Sequence, residues 1–196
     1  MIYPFIVGFI SAIGQIILLR ELMIELNGNE IIFSVFLSLW LLLVALGTLL
    51  FKFMKIRRQL PNLLFGSVVV FISLLPLQFF LIHLITPLFS AVSGLLINLP
   101  SIILVAFIVL APGSLLIGFL FPLNCAAKFP RNSVEKVYIQ ESIGMAFGGF
   151  LFLILINFMN NLSLLIFASL FSFLLIYFFA DQKKVTFIFV ILFLIL

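Results

Sequence analysis

Ionisable side chains are rare in this 196-residue chain, so those inside its apolar stretches are the first candidates for chemistry. Arg20 and Glu21 are adjacent, and Glu25 follows Glu21 by about one helical turn. A charge at the centre of a bilayer costs about 2.5–3.5 kcal/mol on insertion scales, so such residues are often functional. Two interpretations stay open: a charge cluster, shared with Glu30, that closes the first helix pair, or a substrate or proton site facing a cavity.

Glu141 is a second polar point, in a later apolar stretch that also contains Tyr138 and Gln140. It is expected about one turn inside the opposite boundary from Arg20, which argues against a direct pair between them. Its carboxylate either latches onto a basic residue of segment 52–58 or reaches headgroup water. Gln15, near mid-membrane, is a candidate for a hydrogen bond between helices or for contact with a substrate.

Metal and cofactor chemistry has few candidates in this sequence. The chain has one cysteine, Cys125, which excludes an internal disulfide and a cysteine metal cluster. The single histidine, His83, has no metal-type ligand close to it in sequence and is interpreted as an interfacial residue. We therefore expect no metal site, no cofactor and no catalytic residue.

Composition identifies the elements that must position these residues. The chain is 66% hydrophobic and 8% charged, with a mean hydropathy of +1.49. Soluble domains are about half apolar and about a quarter charged, so a soluble fold and a disordered chain are both excluded. Long apolar runs without alternation argue against a barrel. The sequence predicts an all-α, polytopic integral membrane protein with a lipid bilayer as its surroundings.

Six stretches are apolar and long enough to span a bilayer. They are Ile2–Leu26, Ile31–Met54, Leu60–Pro87, Leu99–Ala127, Val137–Met159 and Leu162–Ala180. Nine of the ten Lys and Arg residues lie at the C-terminal end of an even-numbered stretch or after it. The positive-inside rule then places the N-terminus and these basic segments in the cytoplasm. The net charge of +4 is thus a topology signal, and no nucleic-acid partner is expected.

Small residues recur at a spacing that lets helices approach closely. We expect them to pack helices together rather than to form a site; they are Gly8, Ala12, Ser114, Gly118, Gly144, Gly148 and Gly149. Pro112 and Pro122 interrupt the fourth stretch, which is therefore expected to kink and to line an interior. Residues 1–184 form the six-helix domain, and residues 185–196 are a short apolar segment predicted to be a partial or interfacial helix.

Several segments resemble a known family. They are Gly8-Phe-Ile-Ser-Ala-Ile-Gly-Gln-Ile-Ile-Leu-Leu-Arg-Glu-Leu-Met23, Asn27-Gly-Asn-Glu30, Leu39-Trp-Leu-Leu-Leu-Val-Ala-Leu-Gly47, Gly118-Phe-Leu-Phe-Pro-Leu123 and Val137-Tyr-Ile-Gln-Glu-Ser-Ile-Gly-Met-Ala-Phe-Gly-Gly149. Together they resemble the membrane portion of bacterial spermidine synthase-like proteins, in which a helical region similar to half of a major-facilitator transporter is fused to an aminopropyltransferase-type domain. The resemblance covers the first, second, fourth and fifth stretches.

The resemblance implies a bacterial inner-membrane location and one half of a major-facilitator-type fold, with helices one to three and four to six as inverted repeats. The catalytic domain of such proteins has no counterpart in this sequence, so the enzyme activity is not implied. What is implied is a module that transports a small molecule of polyamine type, or that anchors a synthase on a separate chain. A half-sized carrier is expected to form a homodimer.

Two other function classes compete with transport. The first is a structural or assembly subunit whose glycine faces bind a partner helix. The second is an intramembrane enzyme, which requires a nucleophile and a base within hydrogen-bond reach at similar depth; a single imidazole argues against it.

Overall fold

The computed structural model describes residues 2–26, 30–53, 60–89, 98–128 and 133–179, and this part of the chain is entirely helical. Apolar stretches of this length favour helices, because a helix satisfies its own backbone hydrogen bonds without help from water. The helices are α1 (Tyr3–Glu25), α2 (Glu30–Phe53), α3 (Leu60–Phe89), α4 (Leu99–Lys128), α5 (Ser133–Leu155) and α6 (Asn161–Phe179).

The six described helices are all long and apolar enough to cross a membrane, in agreement with the six predicted stretches, and they fit a multi-pass membrane protein. The first four begin within two residues of the predicted positions. At the start of α4, the Asn98 side-chain oxygen accepts the Ser101 backbone N–H at 3.2 Å, a standard N-terminal cap. The short segment at 185–196 and the Asn27–Asn29 turn lie outside the described residues.

The fifth helix is shifted toward the N-terminus relative to the prediction. It begins at Ser133 and ends at Leu155, so the predicted range Val137–Met159 was wrong at both ends. Its first turn carries Glu135 and is polar, and hydropathy alone does not detect such a turn as helix. At the other end, the Phe158 and Met159 amides both donate to the Leu155 carbonyl, which closes a turn.

Helices α1 and α5 pack with their backbones nearly touching. A side-chain carbon added to Gly8 would overlap the backbone carbonyl of Glu141, and one added to Gly144 would overlap that of Phe5. One added to Gly148 would lie 2.6 Å from the Phe9 carbonyl oxygen. Only glycine permits this separation, and packing is what holds helices together in lipid.

Helices α2 and α4 repeat this contact with the same register. Carbons added to Gly47 and Gly118 would overlap the backbone carbonyls of Leu115 and Val44 respectively. For Gly8 with Gly144 and for Gly47 with Gly118, the carbonyl that each glycine approaches lies three residues before the other glycine of the pair. Exchanging α1 with α4 and α2 with α5 therefore converts one contact into the other, and these two pairs are the most extensive in the described bundle.

The prolines of α4 are accommodated within one continuous helix. Pro112 has no N–H and leaves a backbone acceptor of the preceding turn without its helical donor. Next to that position, the Gln78 side-chain amide of α3 donates to the Val109 carbonyl at 2.6 Å, and Gln78 is almost completely buried. A neighbouring helix thus supplies a donor near the interruption, as expected for a break inside an apolar bundle.

Replacing Gly113 with alanine is expected to break this contact. The added carbon would lie 2.6 Å from the Gln78 side-chain oxygen and 2.9 Å from its nitrogen. The amide must then move away from Val109, at a cost of about 1–2 kcal/mol for a buried amide that loses its partner. We expect a melting temperature in detergent several degrees lower than wild type. The matched control is Gly66→Ala in α3, where no atom lies within 4 Å of the added carbon; equal melting temperatures would contradict the prediction.

Candidate functional site

Four polar side chains from three helices converge at one end of the bundle. Glu21 and Glu25 are one turn apart in the last part of α1, His83 lies in the last part of α3, and Asn161 is the first residue of α6. Residues four apart lie on the same face of a helix, so both carboxylates point toward α3. We call Glu21, Glu25, His83 and Asn161 the acidic–histidine cluster.

The imidazole of His83 lies between the two carboxylates. Its Nε2 is 3.1 Å from Glu21 Oε1, and its Nδ1 is 2.9 Å from Glu25 Oε1. One ring nitrogen and one oxygen of each carboxylate lie within 4.8 Å of one another. The ring also packs edge-on against Phe79, with centroids 5.0 Å apart. These contacts fix the plane of the imidazole and the direction of both nitrogens.

Asn161 holds the deeper carboxylate in place. Its side-chain nitrogen donates to Glu21 Oε2 at 2.7 Å, the oxygen that does not face His83. Both oxygens of Glu21 are therefore engaged, and 9% of its side chain is exposed. Glu25 and His83 are more open, with 27% and 40% of their side chains exposed. The cluster is thus anchored on its inner side and accessible on its outer side.

Arg20 does not join the cluster among the described residues. Its side chain is exposed and lines a shallow apolar groove with Met23 and Phe33, whereas Glu21 and Glu25 contact α3 and α6. Glu30 is exposed at the start of α2. The carboxylates of α1 therefore connect three helices at this end of the bundle rather than closing the α1–α2 pair.

Glu141 lies far from this cluster, in the other half of the bundle. Its backbone contacts Gly8 of α1, which is twelve residues before Arg20, or about 18 Å along a helix. The Glu141 residue is 8% exposed. Within the described ranges its carboxylate makes no hydrogen bond or ion pair, and Cys125 of α4 lies within electrostatic range. Of the basic segment expected to latch it, Lys52 is exposed and residues 54–59 lie outside the described part.

The remaining polar candidates are dispersed. Tyr138 is 64% exposed on the outside of the bundle, and Gln140 lines a shallow surface depression with Ile2 and Phe5. Gln15 is half-buried in the middle of α1.

Ser114 is completely buried, and its hydroxyl has no hydrogen-bond partner among the described residues. Gly149, unlike Gly148, has open space at the position of a side chain. None of these residues joins the cluster.

The cluster combines negative charge with an aromatic base. Two carboxylates around one imidazole carry a net charge of −1 if the ring is protonated and −2 if it is neutral, counting ionised carboxylates. No lysine or arginine side chain of the described residues pairs with either carboxylate. Such an arrangement attracts cations and can hold a proton between its members. Within the described ranges no hydroxyl or thiol is shown in contact with His83, a contact that activation of a nucleophile by this imidazole would require.

The sequence matches no protein-family model, no curated protein and no solved structure.

Proposed function

We propose that this chain is a multi-pass protein of the bacterial inner membrane that binds a small cationic solute at the acidic–histidine cluster and carries it across the bilayer. The observation that carries the proposal is the convergence of Glu21, Glu25 and His83 from two helices at one end of an apolar bundle. Ionisable groups in such surroundings are costly, and they mark ion and substrate pathways in many membrane proteins.

The distribution of basic residues supports an orientation for this site. The helix order places the C-terminal ends of α2, α4 and α6 and the N-terminal end of α5 at the end where α1 begins, and nine of the ten Lys and Arg residues lie in these helix ends or in the sequence segments that follow α2, α4 and α6. By the positive-inside rule that end is cytoplasmic. The cluster then lies on the outer side, where it meets a solute before transport. Glu141 lies nearer the cytoplasmic end and offers that solute a second carboxylate.

The repeated glycine contacts support a carrier of half size. An exchange of helices one to three with helices four to six would also exchange the α1–α5 and α2–α4 contacts, which have the same register. Inverted repeats of this kind are common in secondary transporters, whose substrate sites lie between the repeats. With the resemblance described above, this favours one half of a major-facilitator-type fold, a homodimer as the working unit, and a polyamine-type solute. A separate aminopropyltransferase-like chain is then a natural partner.

Uptake into proteoliposomes tests this function. Glu25→Gln keeps the size of the side chain but removes its charge, and Glu25 is partly exposed, so the fold should tolerate the change. We expect uptake of labelled spermidine to fall at least tenfold in this variant. Glu30→Gln is the matched control, because Glu30 is an exposed carboxylate outside the cluster. Equal uptake by the two variants would contradict the proposal.

A structural or assembly subunit is the second candidate, and the surfaces of α2 and α5 favour it. Large apolar side chains of these helices face outward, including Leu41 at 68%, Phe150 at 63% and Leu153 at 66% exposure. They form faces on which a partner helix could pack. This candidate predicts that Glu25→Gln and Glu141→Gln assemble normally and that wild-type liposomes take up no spermidine. We expect this candidate to be favoured over transport if a partner chain co-purifies with wild type in mild detergent and is lost from the double variant Phe150→Ala/Leu153→Ala.

A further inference from the structure

We propose that the acidic–histidine cluster is a binding site for one divalent transition-metal ion, with one His83 nitrogen and one oxygen each of Glu21 and Glu25 as ligands. The inference rests on the proposed cation-binding function and names the class of cation. It draws on the donor set and its geometry, not on the resemblance, which favours an organic amine.

The donor atoms of the cluster lie close enough together to move onto one metal ion. Zinc–nitrogen and zinc–oxygen bonds of about 2.0–2.2 Å place neighbouring ligand atoms about 2.9–3.5 Å apart at octahedral to tetrahedral angles. In the structure the two carboxylates face opposite nitrogens of the ring, with Glu21 Oε1 3.1 Å from Nε2 and Glu25 Oε1 2.9 Å from Nδ1, so these two separations do not share a nitrogen. All three donor groups have ligand atoms within 4.8 Å of one another. Small side-chain movements therefore bring one nitrogen and two oxygens onto a single ion.

The charges of the ligand groups also suit a divalent ion. Ligand groups bind metal as neutral imidazole and ionised carboxylate, so the empty donor set carries −2 and the loaded site carries zero. Glu21 is nearly buried, and a buried carboxylate is costly unless it is paired. A divalent ion compensates both carboxylates at once. Imidazole with carboxylate oxygens suits zinc, manganese, iron or cobalt rather than the thiolate-preferring copper(I).

The surroundings of the ligands have the features of a supported site. Asn161 donates to the second oxygen of Glu21, and outer-shell hydrogen bonds of this kind orient metal ligands. Phe79 packs against the His83 ring and fixes its orientation. The two glutamates are held one turn apart by α1 itself. Because Glu25 and His83 are partly exposed, the fourth position is open to water or an exchanging ligand.

An ammonium group fits this donor set less well. The imidazole faces one oxygen of each carboxylate with its nitrogens, and a ring N–H competes with an ammonium group for the oxygen that it faces. A metal ion instead uses the imidazole nitrogen as a ligand together with those oxygens. The histidine therefore favours a metal over an amine at this position.

Metal content of the purified full-length chain tests the inference. Wild type in mild detergent is dialysed against micromolar zinc chloride, separately against manganese chloride, and the bound metal is measured by mass spectrometry. We expect about one ion per chain in wild type, less than a fifth of that in His83→Phe and in Glu25→Gln, and the wild-type value in Glu30→Gln. Asn161→Ala should bind about tenfold more weakly, because it removes only the outer-shell donor.

The remaining outcomes separate this inference from the proposed function. Spermidine uptake that depends on Glu25, together with no bound metal, would overturn the metal site and leave the function intact. Metal retained equally by His83→Phe would overturn the assigned ligands. If the wild-type chain shows no metal binding and no uptake, both proposals are overturned. Size-exclusion profiles and melting temperatures of each variant show whether a loss of metal reflects a loss of fold.

Discussion

Replacing Gly144 with alanine is expected to destabilise the folded chain by about 3 kcal/mol, and leucine at this position should prevent recovery of monodisperse protein. The added carbon would overlap the Phe5 carbonyl oxygen and lie 3.0 Å from the Phe9 backbone nitrogen. Both obstacles are backbone atoms of α1, which cannot rotate away as a side chain can. The two helices must separate, and the packing that stabilises them in lipid is lost.

The neighbouring glycine of the same helix provides the control for this prediction. No atom lies within 4 Å of a carbon added to Gly149, so Gly149→Ala should leave the melting temperature near the wild-type value. At about 2–4 °C per kcal/mol for a chain of this size, Gly144→Ala should melt roughly 6–12 °C lower. Thermal unfolding in detergent, followed by the fluorescence of the single tryptophan Trp40, measures the difference. Similar melting temperatures for the two variants would show that the close backbone contact is incorrect.

The second large effect is expected at the acidic–histidine cluster. His83→Phe keeps an aromatic ring against Phe79 but removes both nitrogens that face the carboxylates. Glu21 then remains almost buried beside Glu25 without its imidazole partner, and among the described residues only the Asn161 amide still donates to its carboxylate. Removing one partner of a fully buried pair costs about 3–5 kcal/mol, and partial exposure of His83 reduces this to about 2 kcal/mol.

Removing the two charges as well should restore most of that stability. In Glu21→Gln/Glu25→Gln/His83→Phe no carboxylate is left unpaired, and apolar or neutral replacements of buried ionic groups are often close to neutral. We expect the triple variant to melt within a few degrees of wild type and above His83→Phe. A triple variant less stable than the single one would mean that the three side chains contribute to folding in a way other than charge pairing.

Much of the helical architecture follows from the sequence, because each span must satisfy its own backbone inside an apolar environment. The helix starts were placed well where charges or turn residues flank an apolar run. The fifth helix was misplaced because its first turn is polar, and its end depends on backbone turns at Phe158 and Met159 rather than on hydropathy.

The candidate site was predicted only in part. Glu21 and Glu25 were identified because charges in an apolar stretch are costly, but His83 was interpreted as an interfacial residue. The two carboxylates that face His83 lie on another helix, and Asn161 is 140 residues from Glu21 in sequence. A usable signal was present: His83 and Asn161 occupy the ends of α3 and α6 that the predicted topology places beside the end of α1. Comparing depths across helices, rather than neighbours in sequence, would have brought them together.

The glycine contacts show a similar limit. Spacing of small residues predicts that helices approach one another, but not which helices or in what register. The pairing of α1 with α5 and of α2 with α4, and the contrast between Gly148 and Gly149, emerge only from the packed bundle.

The most direct test of the cation-carrier account is uptake by the triple variant Glu21→Gln/Glu25→Gln/His83→Phe, which should fold but lacks both carboxylates and the imidazole. Proteoliposomes of wild type and of this variant are compared for uptake of labelled spermidine and of labelled zinc. The account predicts uptake of at least one of these cations by wild type and a loss of at least tenfold in the variant. Wild-type uptake by a folded triple variant would contradict it and assign the cluster a purely structural role.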